Sequence, residues 1–268
     1  MSESTNNDRR ELIRKWLAEE GSVRVGDLVE RLKVTSMTVR RDLAAMEQEG
    51  VLVRTHGGAA YQAPMVRDLS FSEKDALHAR QKAAIAEAAV RLLKPAASVF
   101  IDTGTTALHF ARALPKTLDL RIFTNNLRVA MDLFSREGFE VNVYGGRLAR
   151  QSPDLVGETA LTRAQEFRID IAFFGADAID PRRGEVYAAD LPTAHFDKTV
   201  HRQAERLVVL ADSSKIGKHS IALVARLDER MVLVTDDGVS ARDLASLRKT
   251  GADIRVVRTE EPLGSDTL

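Results

Sequence analysis

The sequence contains no cysteine. That excludes a disulfide framework, a thiolate metal site and a cysteine nucleophile. It also lacks net charge: 39 basic residues stand against 39 acidic ones. Such a balance argues against a protein that coats nucleic acid by bulk attraction, while leaving room for a basic surface on one small element. No apolar run is long enough to span a bilayer, and the polar residues 1–8 offer nothing that could serve as a signal peptide. A cytoplasmic protein with no membrane partner is therefore expected. The six histidines lack the H-E-x-x-H spacing of a zinc site, and neither a G-x-S-x-G elbow nor a P-loop signature occurs. Nothing in this inventory predicts a metal site, a cofactor or a catalytic residue.

What is present falls into two patterns. A chain of 268 residues suits a small domain joined to one of ordinary size. The pattern places the first over residues 8–62, a hinge containing Pro64 over 63–77, and the second over 78–260. Residues 9–20 read as an amphipathic helix with Leu12, Ile13, Trp16 and Leu17 on one face and Gly21 at its end. Trp16 is expected to anchor a small core rather than to stack on a base. A helix over 25–32 follows, poorly capped by Arg24, with Leu28 and Leu32 on one face and Val34 closing it.

Thr35 can cap the next helix through its hydroxyl. That helix buries Val39, Leu43 and Met46, which turns Met37, Arg41 and Ala45 outward, sets Arg40 on the flank, and ends at Gly50. Residues 51–55 read as a strand, and Gly57 and Gly58 allow a tight wing tip carrying Arg54 and His56. A helix with two outward arginines and a hydroxyl-rich first turn suits the major groove of DNA. Arg40 and Arg41 can fork onto guanine edges or hold phosphates. Thr35, Ser36, Met37 and Thr38 lead the helix, where hydroxyls and free amides can meet phosphate. Two arginines alone could equally be a solvated face; the turn, cap and wing in order favour DNA.

From residue 78 onward, helical and strand patterns alternate. A helix over 78–93 buries Ile85, Ala89 and Leu92. Apolar strands follow at 98–101, 120–123, 141–144, 169–174, 207–210, 231–234 and 254–257, with helices at 105–114 and 127–136 between the first of them. This alternation predicts an α/β fold: a Rossmann-like, mostly parallel sheet with helices on both faces. Ligands bind such sheets beyond the carboxyl ends of the strands. Asp102, Gly104, Thr105 and Thr106 lie at one such end, where a glycine, hydroxyls and helix-start amides can cradle a phosphate. Either threonine could instead only cap the helix. Thr124, Asn125 and Asn126 follow the next strand and suit sugar hydroxyls, or form an ordinary Asn cap. Gly145 follows the third strand and Asp177 the fourth. Lys215 could neutralise a phosphate, though a lone lysine is more often a surface charge.

The stretch T-S-M-T-V-R-R-D-L followed by G-V-L-V-R-T-H-G-G-A resembles the winged helix-turn-helix of the DeoR family of bacterial transcriptional regulators. D-T-G-T-T, T-N-N, Y-G-G, G-A-D and A-D-S-S-K-I-G then follow in that family's order. The resemblance spans residues 9–237. It implies an N-terminal winged helix-turn-helix domain followed by a ribose-5-phosphate isomerase-like effector domain. It implies double-stranded operator DNA as one partner and a phosphorylated sugar as effector. The expected role is a repressor of a carbohydrate-utilisation operon, acting as a homo-oligomer, a dimer or tetramer. Carried over position by position, the effector contacts are Asp102, Gly104, Thr105, Thr106, Thr124, Asn125, Asn126, Gly145, Asp177 and Lys215. Two departures stand out. Tyr187, His195 and Asp197 occupy a region that usually reads differently, which hints at altered ligand choice or subunit contact. Lys74 stands where the family often has Arg. The isomerases of this fold carry a Lys-Gly-Gly-Gly stretch and an acid after the G-A-D-like segment. The glycine run is missing here and no base can be named, so binding without turnover is expected. The alternative is a sugar-phosphate isomerase tethered to a DNA-binding domain.

Overall fold

The computed structural model describes residues 3–48, 52–55, 57–61, 71–149 and 152–259. The expectations for Gly50, Val51, His56 and Pro64 lie outside them. The chain divides into two compact units, Met1–Arg67 and Asp68–Leu268.

The first unit runs α1 (Glu3–Glu20), β1 (Ser22–Arg24), α2 (Val25–Leu32), α3 (Ser36–Gln48), β2 (Leu52–Thr55) and β3 (Gly58–Tyr61). Its core joins Ile13, Leu17, Leu28, Val39, Leu43, Met46 and Leu52, all buried. Spacings of three and four within each helix put those residues on one face. Leu12 departs from the expected face and is 44% exposed. It lies one position before Ile13, so the helix turns it past the edge of the apolar stripe. Trp16 packs against this core, with the Arg31 guanidinium 5.2 Å above its ring. Gly21 closes α1 in the left-handed region, its amide on the Leu17 carbonyl at 2.9 Å. As expected, Arg24 gives α2 no side-chain cap. The three strands form an antiparallel sheet in the order β1-β3-β2.

The second unit begins with α4 (Phe71–Ala76), within the stretch read as hinge. Six residues are too few for a helical period to show in sequence. Phe71 packs against the main core. There follow α5 (Ala79–Val90), β4 (Ser98–Ile101), α6 (Thr105–Ala113), β5 (Leu120–Thr124), α7 (Leu127–Leu133), β6 (Phe139–Val143), β7 (Arg147–Leu148), β8 (Leu155–Val156), α8 (Glu158–Ala164) and β9 (Ile169–Gly175). The chain continues through β10 (Ala178–Asp180), β11 (Glu185–Ala188), α9 (Leu191–Gln203), β12 (Ala204–Leu210), β13 (Ala222–Arg226), β14 (Met231–Asp236), α10 (Ala241–Arg248) and β15 (Asp253–Val257).

Seven strands form one sheet, ordered β15-β14-β12-β9-β4-β5-β6, with every pairing parallel. Side chains alternate between its faces. Val99, Ile101, Ile171, Phe173, Val208, Leu210, Val232 and Val234 meet α5, α6 and α7 on one face. Phe100, Ala172, Phe174, Leu207, Val209, Met231 and Leu233 meet α8, α9 and α10 on the other. Continuous apolar runs thus reflect strands covered twice. A second, antiparallel sheet, β10-β11-β13, also packs on the latter face through Ile179 and Val186. Strands β4, β5 and β6 step outward in one direction; the chain then returns to β9 beside β4 and steps outward the other way. The β4–β9 boundary is therefore the topological switch point, where a ligand crevice opens beyond the carboxyl ends. Among the described residues no helix is long and apolar enough to cross a membrane.

Gly58 lies against β1: a methyl group there would meet the Val23 carbonyl oxygen at 2.0 Å. Gly58→Ala is expected to lower the melting temperature of the first unit, followed by fluorescence of Trp16, the chain's single tryptophan. Gly26→Ala, in helix α2 with open space around it, should be neutral or stabilising by up to about 1 kcal/mol.

Candidate functional site

The first unit presents the N-terminal half of α3 at its surface. Thr35 accepts the Thr38 amide at 3.3 Å, and the two hydroxyls lie 3.0 Å apart, so the predicted cap is present. Met37 is 76% exposed, and Ser36, Arg40 and Arg41 are exposed beside it. The acid that follows them turns the other way. Asp42 is buried and takes Arg9 Nε at 2.6 Å, with Arg10 Nε at 3.7 Å. A buried carboxylate so paired fixes the rotation of α3 on α1. Arg40 and Arg54 line one crevice between α3 and the β2–β3 wing, and the Arg54 amide is held by Glu47 at 3.0 Å. Among the described members of the predicted DNA-contacting set, the structure brings Thr35, Ser36, Met37, Thr38, Arg40, Arg41 and Arg54 onto α3, its cap and the wing. His56 lies outside the described residues.

In the second unit, a cavity of about 170 Å³ opens at the switch point. Gly104 enters α6 with φ of 99°, a conformation that favours glycine. The Leu108 amide takes the Gly104 carbonyl at 3.1 Å, so the amides of Thr105, Thr106 and Ala107 precede the helix's own ladder. Asp102 lies deeper, buried between β4 and β9, and its Oδ2 accepts the Gly175 amide at 2.9 Å. Asp102 Oδ1 is buried with no partner, as is Asp197 Oδ1 from α9. Asp177 Oδ1 lies 3.2 Å from Lys74 Nζ on α4, and its Oδ2 accepts the Ala189 amide at 2.9 Å. Lys215, on the turn capped by Asp212, also lines the cavity.

The acids crowd one another. Burial pushes the Asp102 carboxyl up to about 7, against the lowering bonds from the Gly175 and Thr103 amides. Burial, then the Asp102 charge, holds Asp197 well above the usual carboxylate range. Asp154 is raised to about 6, again by burial first. Burial lowers Lys215, while Asp177 and Asp212 favour its charge. Near neutral pH this floor can both donate and accept hydrogen bonds, which suits hydroxyl groups.

Known proteins match both units. Residues 9–64 match the model of the DeoR-like helix-turn-helix domain, and residues 77–237 that of the DeoR C terminal sensor domain. The chain belongs to the DeoR family. It is 36% identical to an Escherichia coli O157:H7 protein provisionally named the aga operon transcriptional repressor, over 94% of each chain. It is 32% identical to the HTH-type transcriptional repressor CsqR of Escherichia coli K12, over 88% of this chain and 90% of that one. It is 33% identical to the lactose phosphotransferase system repressor of Streptococcus mutans, over 85% and 91%. The ribose 5-phosphate isomerase A of Methanocaldococcus jannaschii shares 23% identity over 50% of this chain and 53% of that one, with a TM-score of 0.38. That likeness is too slight to bear on function.

Of the effector contacts implied by the DeoR resemblance, Asp102, Gly104, Thr105, Thr106, Asp177 and Lys215 line the cavity. Thr124, Asn125, Asn126 and Gly145 are not in its lining. Asn126 caps α7, accepting the Arg128 and Val129 amides at 2.8 and 3.0 Å, and donates to Asp154 Oδ1 at 2.7 Å. The buried Thr124 hydroxyl accepts the Asn126 amide at 3.0 Å, and Asn125 donates to the Leu155 carbonyl at 3.3 Å. The T-N-N segment thus holds the strip that carries Asp154 into the cavity wall. Gly145 turns the chain with φ of 78° between β6 and β7. Lys74, Asp154, Tyr187, Asp190 and Asp197 also line the cavity. Only the unusual spelling after Gly184 pointed toward Tyr187 and Asp197. The Tyr187 hydroxyl donates to Glu185 at 2.5 Å. His195 is exposed and is not in the lining.

A carboxyl whose folded pKa is raised contributes stability that is full below its unfolded value and lost as pH rises through the folded one. For Asp102 that window runs from about 4 to about 7. Asp102→Asn removes the loss. In urea denaturation across this window, the variant's stability relative to the parent should climb with pH and level off above it.

Proposed function

We propose that this DeoR-family regulator is a repressor of a carbohydrate-utilisation operon, released from operator DNA by a phosphorylated sugar. The observation that carries this reading is the joining, at one switch-point crevice, of a helix N-terminus and two lysines with a carboxyl floor. Amides of α6, Lys74 and Lys215 suit a phosphate; Asp102, Asp154 and Asp197 suit the hydroxyls of a sugar. Thr35, Ser36, Met37, Thr38, Arg40, Arg41, Arg54 and His56 make the DNA contacts. Two heads of a homo-oligomer, dimer or tetramer, read half-sites of one operator in the cytoplasm, and effector binding biases their spacing. The names of the relatives, an aga operon repressor and a lactose phosphotransferase system repressor, support a carbohydrate operon.

A second reading keeps one specific observation in its favour. Asp102 and Asp197, two buried acids both raised above the usual carboxylate range by burial, are the kind of pair an isomerase uses to move a proton. Sequence reasoning named no such base. Relatives named as repressors weigh toward binding without turnover. Incubation with aldose and ketose phosphates should give no interconversion; turnover would establish the tethered isomerase instead.

A gel-shift titration with a panel of sugar phosphates should release the operator with at least one of them, and no response across the panel would refute the effector reading. Arg41→Ala should weaken specific operator binding by about 1–3 kcal/mol. Equal loss on operator and random DNA, with a flatter salt dependence, would assign Arg41 to phosphate and not to a base.

A further inference from the structure

Lys74 lies on α4, the first helix of the second unit. Its side chain and its backbone are held separately. The ammonium is 3.2 Å from Asp177 Oδ1. The carbonyl accepts from the buried Lys82 ammonium and from the Thr105 hydroxyl at 3.4 Å. Phe71, three residues earlier, packs on the main core and lines the same cavity. The backbone of Lys74 is thereby tied to the cavity wall beside α6, while its charged tip points across to Asp177. Asp177 is itself fixed through its second oxygen by the Ala189 amide.

Lys215 lines the same space; burial opposes its charge, Asp177 and then Asp212 favour it, and Lys74 opposes it. Asp177 thus acts on both lysines, next to the amides that open α6. The buried, unpartnered Asp102 Oδ1 lines this space as well. Two lysines and a helix start with the Asp177 carboxylate among them form an anion site whose occupant belongs to the chain.

We propose that Asp177 is a built-in competitor for this site: a ligand's phosphate group displaces it from Lys74, and Lys74 then closes on the phosphate together with Lys215 and α6. The proposal rests on the anion-binding reading above. It also sets selectivity. A monoanionic carboxylate ligand would only exchange like for like with Asp177, whereas a phosphate brings a second charge and more acceptor oxygens. Phosphorylated ligands are favoured over sugar acids for that reason, and Lys74 is a binding residue even though it points at a carboxylate in the ligand-free chain.

The test titrates the full-length chain with inorganic phosphate by calorimetry. Inorganic phosphate has no sugar hydroxyls, so any part Asp177 plays toward a sugar is left out. Asp177→Asn keeps an oxygen for the Ala189 amide and removes the charge; it should tighten phosphate binding severalfold. Lys74→Met should weaken it tenfold or more. In the double variant the gain from Asp177→Asn should shrink markedly, because the two side chains act on each other. Phosphate binding that is unchanged or weaker in Asp177→Asn would overturn the competitor role, even if sugar phosphates still release the operator. No binding of phosphate or of any sugar phosphate by any of the chains would overturn the anion reading itself.

Discussion

The architecture of the larger unit turns on one hydrogen bond: the Asp102 carboxylate accepting the Gly175 amide at the ends of β4 and β9. These two strands are neighbours in the sheet, yet the chain leaves them for opposite faces, to α6 after β4 and toward β10 and β11 after β9. Parting elements leave a crevice whose backbone groups must be satisfied without sheet partners. Asp102 meets that need from one side, at the cost of burying a carboxyl. The approach is close: a methyl group on Gly175 would stand 3.2 Å from the Thr103 carbonyl oxygen. The same closeness desolvates Asp102 and brings Asp197 against it. The acid floor is therefore a by-product of how the two halves of the sheet are joined, and the glycine turn that opens α6 beside it follows from the same divergence.

Most of the framework was legible in the sequence. All seven parallel strands were marked: the central ones by apolar runs, since strands buried on both faces carry little polar interruption, and the edge strands β6 and β15 by alternating apolar residues, since they are half-buried. The reading helix was marked by Val39, Leu43 and Met46 together with Thr35. Short or irregular elements were not legible. Helix α4 is too brief to show a period; β10 and β11 are short strands joined by the turn Asp180-Pro181-Arg182-Arg183-Gly184, and β13 pairs with β11 from more than thirty residues downstream, where no local signal joins them. Asn126 shows the limit for site residues. An Asn at a strand end reads equally as ligand contact or helix cap, and only the positions of the Arg128 and Val129 amides decide between them. Lys74 and Asp197 reach the cavity from elements far along the chain, so no spacing rule could join them to Asp102.

Electrostatics divides the two units despite a formal charge of zero. On α3 the charges point outward and stay in water, except Asp42. In the cavity several point inward, where burial raises Asp102, Asp154 and Asp197 and lowers Lys215. A neutral total thus hides two surfaces of different purpose, one offering cations to a polyanion and one balancing acids against lysines.

The pairing of Asp42 with Arg9 and Arg10 has a consequence for anyone who shortens the polypeptide. A version starting at residue 11 would retain the complete helix-turn-helix and wing, and by sequence alone would look intact. It would nonetheless strand a carboxylate inside the head, next in sequence to the exposed Arg40 and Arg41. The setting of α3 therefore depends on a pair of cations upstream of it, on a different helix.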